Sequence, residues 1–479
     1  MDTDDTGARP GPVPATLVAA SPVPVPPSAI PPVTERVPVD FTGEGAGVDE
    51  LSWGMWEIWH AMSGQNSSLP IGGRVPLPEG TTVADVAEEL RYLMTRFPSM
   101  RTRLRFDAEG WPTQQLFGSG RTALEVYDAG DADPDQLALA IELRWRETDF
   151  DYVDEWPVRM AVVRQDGLPS HLVTIMDHLV TDALGAMMML REVKDRVTTP
   201  VTGMQQLEQA RWQHSPAGQR QNDKALRHWE GILRTIPAGR FAGSADPRSP
   251  RHWSADFRSP ALTAALPVIA ARTGTDTPTV LLSLYAVALN RITGVNPVVV
   301  RPVVNNRFRP ALADVVCMVA QAGICVLDVA DATVDQVVER ARRGTMSAYK
   351  YAYFHPEHVR RLIAQVSRER GEEVDVACFF NDRSTHRKSP DDLALSGDEL
   401  DEALRKAQGD TVFRWTAQRE DPIERLFVSV DDAPDGLLIE IHFDTHFFSP
   451  ADTEALARGM EAIAVEAALD PALPTEPAR

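Results

Sequence analysis

The hydrophobic period of this chain switches repeatedly between two and about 3.6, and it does so on both sides of a Pro- and Gly-rich break. Val83, Val86, Leu90, Leu93 and Phe97 recur at steps of three and four, which predicts one apolar helix face, with Thr81 or Thr82 as its cap. Strands are expected at 100–106 and 112–117, a helix at 134–147, and a strand through Val158, Met160 and Val162. His171 to Met176 is nearly all apolar, the mark of a strand inside a sheet. A short polar turn, Asp177 to Asp182, then leads into a helix from Ala183 to Val193. The break lies at 235–255, with Pro237, Gly239, Gly243, Pro247 and Pro250. Beyond it, Thr277 to Ile292 reads as a helix, Val298 to Val304 as a strand and Val315 to Val329 as strand-rich. Val334 to Ala348 and His358 to Arg370 read as helices, and Val374 to Phe380 as a buried strand. Leu437, Ile439, Ile441 and Phe443 mark a strand with one apolar face before a last helix at 451–468. Strands and helices mixed in both halves imply an α/β fold of two similar lobes. The expected division is a disordered Pro-rich leader (1–45), a first lobe (46–240), a second lobe (241–470) and a flexible tail (471–479).

The composition excludes several classes. With 48 basic and 69 acidic side chains the formal charge is −21, which repels phosphate backbones and argues against nucleic acid as a partner. The locally basic runs 96–105 and 301–309 are expected to serve surface solvation or structural ion pairs. Cys317, Cys325 and Cys378 lie in apolar stretches without metal-type spacing, as buried reduced thiols do. The acidic start Met1-Asp2-Thr3-Asp4-Asp5 lacks the basic opening of a secretory signal, and no apolar run reaches the ~20 residues that span a bilayer. A cytoplasmic protein without a membrane partner is expected.

Chemistry concentrates in Thr174-Ile175-Met176-Asp177-His178-Leu179-Val180-Thr181-Asp182-Ala183. A histidine just past a buried strand is well placed as a general base towards an amine or hydroxyl. Asp182, four residues on, can pair with a distant arginine or simply cap the following helix. His442 and His446 flank Asp444, and His355 neighbours His358, but neither pair has a third ligand that would suggest a metal. No Gly-rich phosphate loop, Gly-x-Ser-x-Gly elbow or cofactor motif is present.

Here the sequence resembles the condensation domains of nonribosomal peptide synthetases, whose core motif is His-His-x-x-x-Asp-Gly. Asp177-His178-Leu179-Val180-Thr181-Asp182-Ala183 stands in its place, keeping the second histidine and the aspartate. Leu51 to Trp59 is similar to the opening Leu-Ser-x-x-Gln-x-x-x-Trp element, with Met55 for the glutamine. Arg96, Arg101 and Thr102 match an Arg-His-Glu-x-Leu-Arg-Thr element. Leu207 to Trp212, followed by Ala225 to Trp229, resembles the stretch closing the first lobe. Val315 to Ala322 resembles an eroded Ile-Gly-x-Phe-Val-Asn-Thr segment, and Phe443 to Leu456 the final Tyr-Asp-x-x-x-Phe strand and helix.

The resemblance implies two chloramphenicol-acetyltransferase-like sandwich lobes in a V, with a tunnel between them and His178 midway. The chain's length is used up by two lobes and a leader, so a stand-alone enzyme using no bound cofactor is expected. An acyl or peptidyl carrier protein, met in trans, presents the donor thioester on its phosphopantetheine arm to a small amine or hydroxyl acceptor. His178 is the implied active-centre residue, and the Ala183 N–H is the donor that polarises the thioester. Asp182 is structural, pairing with Arg301 or Arg307. Asp177 either charges the imidazole or turns away and fills the space of the first histidine; successive side chains on an extended chain face opposite ways. A coenzyme-A-dependent acyltransferase and a non-catalytic recruitment domain are the alternatives.

Overall fold

The computed structural model of the protein describes residues 30–384 and 396–476, so residues 1–29 of the expected leader and 477–479 of the expected tail lie outside the described residues. The first half contains β1 (Glu35–Thr42), β2 (Gly47–Glu50), α1 (Trp53–Gln65), β3 (Ile71–Pro76), α2 (Val83–Arg96), β4 (Thr102–Phe106), β5 (Pro112–Leu116) and β6 (Ser119–Asp128). It continues through α3 (Pro134–Arg146), β7 (Val158–Gln165), β8 (Leu168–Met176), α4 (Ala183–Asp195), α5 (Gln206–His214) and α6 (Pro216–Leu233). Its main sheet has the order β1-β6-β7-β8-β3, and β2-β5-β4 forms a small second sheet. Val86, Leu90 and Leu93 of α2 and Met189 of α4 pack on one face, against Met160, Val162 and Leu172. Leu137, Ile141 and Trp145 of α3 cover the other, against Val163, Val173 and Ile175. β8 is buried on both faces, hence its nearly continuous apolar run.

The second half contains β9 (His252–Ser259), α7 (Pro260–Thr273), α8 (Thr277–Thr293), β10 (Val298–Val304), β11 (Gln321–Ala322), β12 (Cys325–Leu327), α9 (Val334–Lys350) and α10 (Pro356–Arg370). Then follow β13 (Cys378–Asp382), α11 (Asp398–Gln408), β14 (Val412–Arg419), β15 (Leu426–Ala433), β16 (Gly436–Asp444) and α12 (Pro450–Leu469). Its eight strands run β11-β10-β13-β15-β16-β9-β14, with β12 also paired to β10. Residues of α7, α8, α9, α11 and α12 share one core with Ile439, Ile441 and Phe443 of β16. Alternation sends Glu440 and His442 to the opposite face, where His442 Nδ1 meets Ser254 Oγ at 2.7 Å.

Several expectations need correction. The leader does not extend to residue 45: residues 35–42 form β1, paired antiparallel with β6. Val39 and Phe41 face the core, and Pro38 is tolerated because β1 is an edge strand that can spare an N–H. The tail is not loose through 476, since the buried Thr475 donates its N–H to Ala332 O and its hydroxyl to Val329 O. The lobe boundary near 240 misplaces α6, whose Ala225, Trp229 and Leu233 pack with Val299, Phe354, Val359 and Val366 of the second half. An amphipathic stripe declares that a helix is buried, not against what. Val315–Val329 contains only the short β11 and β12, and the strand expected at 374–380 begins at Cys378. All three cysteines are buried free thiols. Among the described residues, no helix is long and apolar enough to cross a membrane.

Candidate active site

β8 is held on both sides to its last residue, with Met176 opposite Val158 of β7 and Ile71 of β3. Asp177 continues the hold by donating its N–H to Pro157 O at 3.1 Å. A tight turn follows, in which the Val180 N–H returns to Asp177 O and the Leu179 N–H donates to Asp177 Oδ1 at 2.8 Å. His178 projects from this turn, half-buried, and its Nδ1 lies 3.1 Å from Thr181 O. A carbonyl only accepts, so Nδ1 carries the ring's proton and Nε2 keeps a lone pair. Burial pushes the imidazole pKa below its ordinary value; Asp182 pulls the other way, and the Arg383 guanidinium of the second lobe adds to the lowering. The ring is therefore neutral at neutral pH, in the tautomer a general base requires.

Asp182 closes the turn and starts α4. Its Oδ1 accepts the Gly185 N–H at 2.9 Å, an ordinary N-cap contact. It does more than cap. Arg307 Nη1 lies 2.7 Å from Oδ1 and 2.8 Å from Oδ2, and the Val319 and Ala320 N–H groups donate to Oδ2 at 3.1 and 3.0 Å. Arg307 also donates from Nη2 to Val315 O and Cys317 O. The expected pairing thus falls to Arg307. Arg301 is not Asp182's partner; its Nη2 donates to Glu57 of α1 at 3.0 Å and to Ala322 O. Both basic runs are largely tied into structural contacts: Arg96 pairs with Glu192, and buried Arg101 donates to Phe117 O and Glu44 O.

Residues 315–320 have no sheet partners, and their backbone is satisfied by side chains instead: Ser99 Oγ on Val316 O, Asn306 on Val319 O, and Asp182 and Arg307 as above. Val316 packs into the first-lobe core, and Met318 and Ala320 into the cluster around α1. This segment of the second half is stitched directly under the His178 turn.

Asp177 turns away from the imidazole. It is 1% exposed, and it lines a cavity with Tyr152, Phe150, Pro157, Leu179 and Val180 that His178 does not line. Ala183 is the exposed first residue of α4, where an N–H has no intrahelical acceptor. Sequence reasoning missed Gly185, which lies two residues past the end of the motif: a Cβ there would lie 2.2 Å from Thr181 Oγ1 and 2.7 Å from Arg307 Nη2. It also missed Arg383, which pairs with Asp431 and Glu440 on the polar face of the second sheet. Among the described residues, no group of three or more His, Cys, Asp or Glu is arranged to hold a metal ion.

No curated protein sequence matches the chain. The condensation domain of the monacolin K polyketide synthase MokA is similar in fold, with a TM-score of 0.68 at 15% identity over 90% of this chain and 100% of that one. So is the structure described for condensation-domain-mediated chain release from the enacyloxin polyketide synthase, with a TM-score of 0.67 at 19% identity over 95% and 87%. SgcC5 from Streptomyces globisporus, in complex with (R)-(-)-1-(2-naphthyl)-1,2-ethanediol and sucrose, scores 0.62 at 19% identity over 85% and 94%. The condensation-domain family model matches residues 54–477, most of the chain, and with this site and this fold the protein belongs to the condensation domain family.

Proposed function

We propose that the protein joins a carrier-protein-bound acyl or aminoacyl thioester to an amine or hydroxyl acceptor, with His178 as the active-centre residue. The observation that carries this reading is the tautomer: Thr181 O holds the proton on Nδ1, and burial keeps the ring neutral, so Nε2 is left as the acceptor. Nε2 holds the attacking N–H or O–H and takes its proton as the new bond to the thioester carbonyl forms; the C–S bond then breaks, and the imidazolium returns that proton to the departing carrier thiolate. The Ala183 N–H, at the positive end of α4, polarises the carbonyl oxygen as it becomes an oxyanion. Asp182 and Arg307 act through the fold, fixing the turn against the second lobe. The diol in the SgcC5 structure keeps hydroxyl compounds beside amines among the acceptors to assay.

The test offers purified protein an acyl-carrier thioester, or the same acyl group on coenzyme A, with panels of amines and alcohols. Product is read by mass spectrometry beside His178→Ala. Product that requires the carrier and falls by ~10²–10⁴-fold in the variant is expected. Equal turnover by His178→Ala overturns the assignment. Product from coenzyme A alone makes it a coenzyme-A-dependent acyltransferase. Carrier or enzyme binding without turnover makes it a recruitment domain.

A further inference from the structure

We propose that the cavity beside the His178 turn is a binding site for one water molecule, which ties the turn to α5 and β4. This goes beyond the reading of His178 and holds whether or not that ring is catalytic. The cavity has a volume of about 20 Å³, and its lining includes Asp177 of the turn, Arg103 of β4 and Gln206, the first residue of α5. A water needs ~10–15 Å³ of such space, so one is accommodated. Each of the three residues brings a buried atom that has no hydrogen-bond partner among the described residues: Asp177 Oδ2, Gln206 Oε1 and Arg103 Nε. Asp177 and Gln206 are each 1% exposed, so bulk solvent does not serve them. Unpaired polar atoms at such depth are uncommon in folded proteins, and three around one cavity point to an occupant. Asp151, also on the lining, is exposed and gives water a route in.

The orientation of each group is fixed by its other contacts. Asp177 Oδ1 accepts the Leu179 N–H at 2.8 Å, which leaves Oδ2 as the free acceptor. Thr102 Oγ1 donates to Pro98 O at 3.0 Å, so its proton is spent and it only accepts from Gln206 Nε2, 2.7 Å away. That contact orients the amide and makes Oε1 the bare atom. Ser99 Oγ, on the same lining, spends its proton on Val316 O. The Arg103 guanidinium lies over the Trp156 ring, its carbon 3.7 Å from the centroid, which holds its plane. These three atoms set the occupant's chemistry. A carboxylate oxygen and an amide oxygen accept, and Nε–H donates, so the occupant must donate twice and accept once. A monovalent cation or an ammonium ion has no lone pair to offer Arg103, and a halide has no proton for the two oxygens. Water meets all three demands, and about three hydrogen bonds are the usual complement of a buried water. Its donation to Oδ2 acts in the same sense as the Leu179 N–H, against the rise in pKa that burial causes. The water braces the turn from within the first lobe, while Asp182 and Arg307 hold it to the second.

The test is a high-resolution crystal structure of the full chain, with parallel soaks in rubidium chloride and sodium bromide. One density peak is expected at ~2.6–3.2 Å from each of Asp177 Oδ2, Gln206 Oε1 and Arg103 Nε, without anomalous signal in either soak. A cavity without density, or a peak that misses any of the three atoms, overturns the proposal. An anomalous rubidium peak would make this a cation site and a bromide peak an anion site, and either result overturns it too. A second readout works in solution. Oxygen-17 relaxation dispersion is expected to count one fewer long-lived internal water in Gln206→Met, which keeps the length of the side chain and removes the acceptor. An equal count in the two proteins overturns the bridge. If that variant does not fold, the wild-type density decides alone.

Discussion

A histidine one residue past a strand becomes chemically useful only when its two nitrogens differ, and Thr181 O supplies that difference here. Because burial lowers the His178 pKa, the base form persists below the ordinary histidine range. The acid limb of the pH–rate profile is accordingly expected below pH ~6.5, the unperturbed value. A limb at or above that value in steady-state assays would show a solvated ring instead. Asp182 is a different kind of residue: a buried anion shared by one arginine and three backbone N–H groups. Removing one member of a buried pair strands the other, so Asp182→Asn is expected to cost ~3 kcal/mol of stability by denaturant titration. The structural role fails if both stability and rate are unchanged.

At the scale of elements, the closest approaches explain the small residues. Gly54 of α1 faces Met318 O, which a Cβ would approach to 2.2 Å, so that helix lies directly on the stitched segment. Gly185 leaves room for Arg307 to reach Asp182. Gly185→Ala forces the guanidinium or Thr181 to move, and ~1–3 kcal/mol of destabilisation with a lowered kcat is expected. Chemical denaturation and single-turnover kinetics check the two effects separately. The cap of α2 was legible as Thr81 or Thr82, and Thr82 takes it, in a reciprocal box with Asp85. β1 was not legible, because the prolines around it outweighed the alternation of Val37, Val39 and Phe41. α6 was legible as a segment but not in its allegiance, since its apolar side says nothing about which sheet will cover it.

Across the whole molecule, histidines gather where the halves meet. His60 of α1 lies beside Trp56, whose ring stacks on His355 at 6.1 Å, and His355 stacks on His358 at 4.3 Å. Burial first, then neighbouring positive charge, lowers His60 to about 4 and His355 to about 3. Below pH ~6.5 the unfolded chain takes up protons that the folded chain refuses, so stability is lost as pH falls from there towards those values. At pH 5 the loss is up to about 2 kcal/mol for each histidine. Asp177 works in the opposite sense. Its raised pKa means that the unfolded chain releases a proton the folded one retains, so stability falls as pH rises from ~4 to about 7. Thermal melts at pH 5 and 7.5 are expected to show a lower midpoint at pH 5, narrowed in the His60→Gln, His355→Gln double variant. An unchanged gap in that variant would remove these rings as the cause.

The sequence by itself determined that the chain is α/β in both halves, that β8 lies inside a sheet, and that His178 and Asp182 frame a turn between that strand and a helix. These follow from periodicity and local spacing, which act within a few residues. Only the tertiary structure decided that Arg307 rather than Arg301 reaches Asp182, that residues 315–320 leave their own sheet to underlie the turn, and that Asp177 lines a cavity that His178 does not. The first two outcomes depend on which surfaces meet across more than a hundred residues of chain, and local pattern carries no record of that meeting.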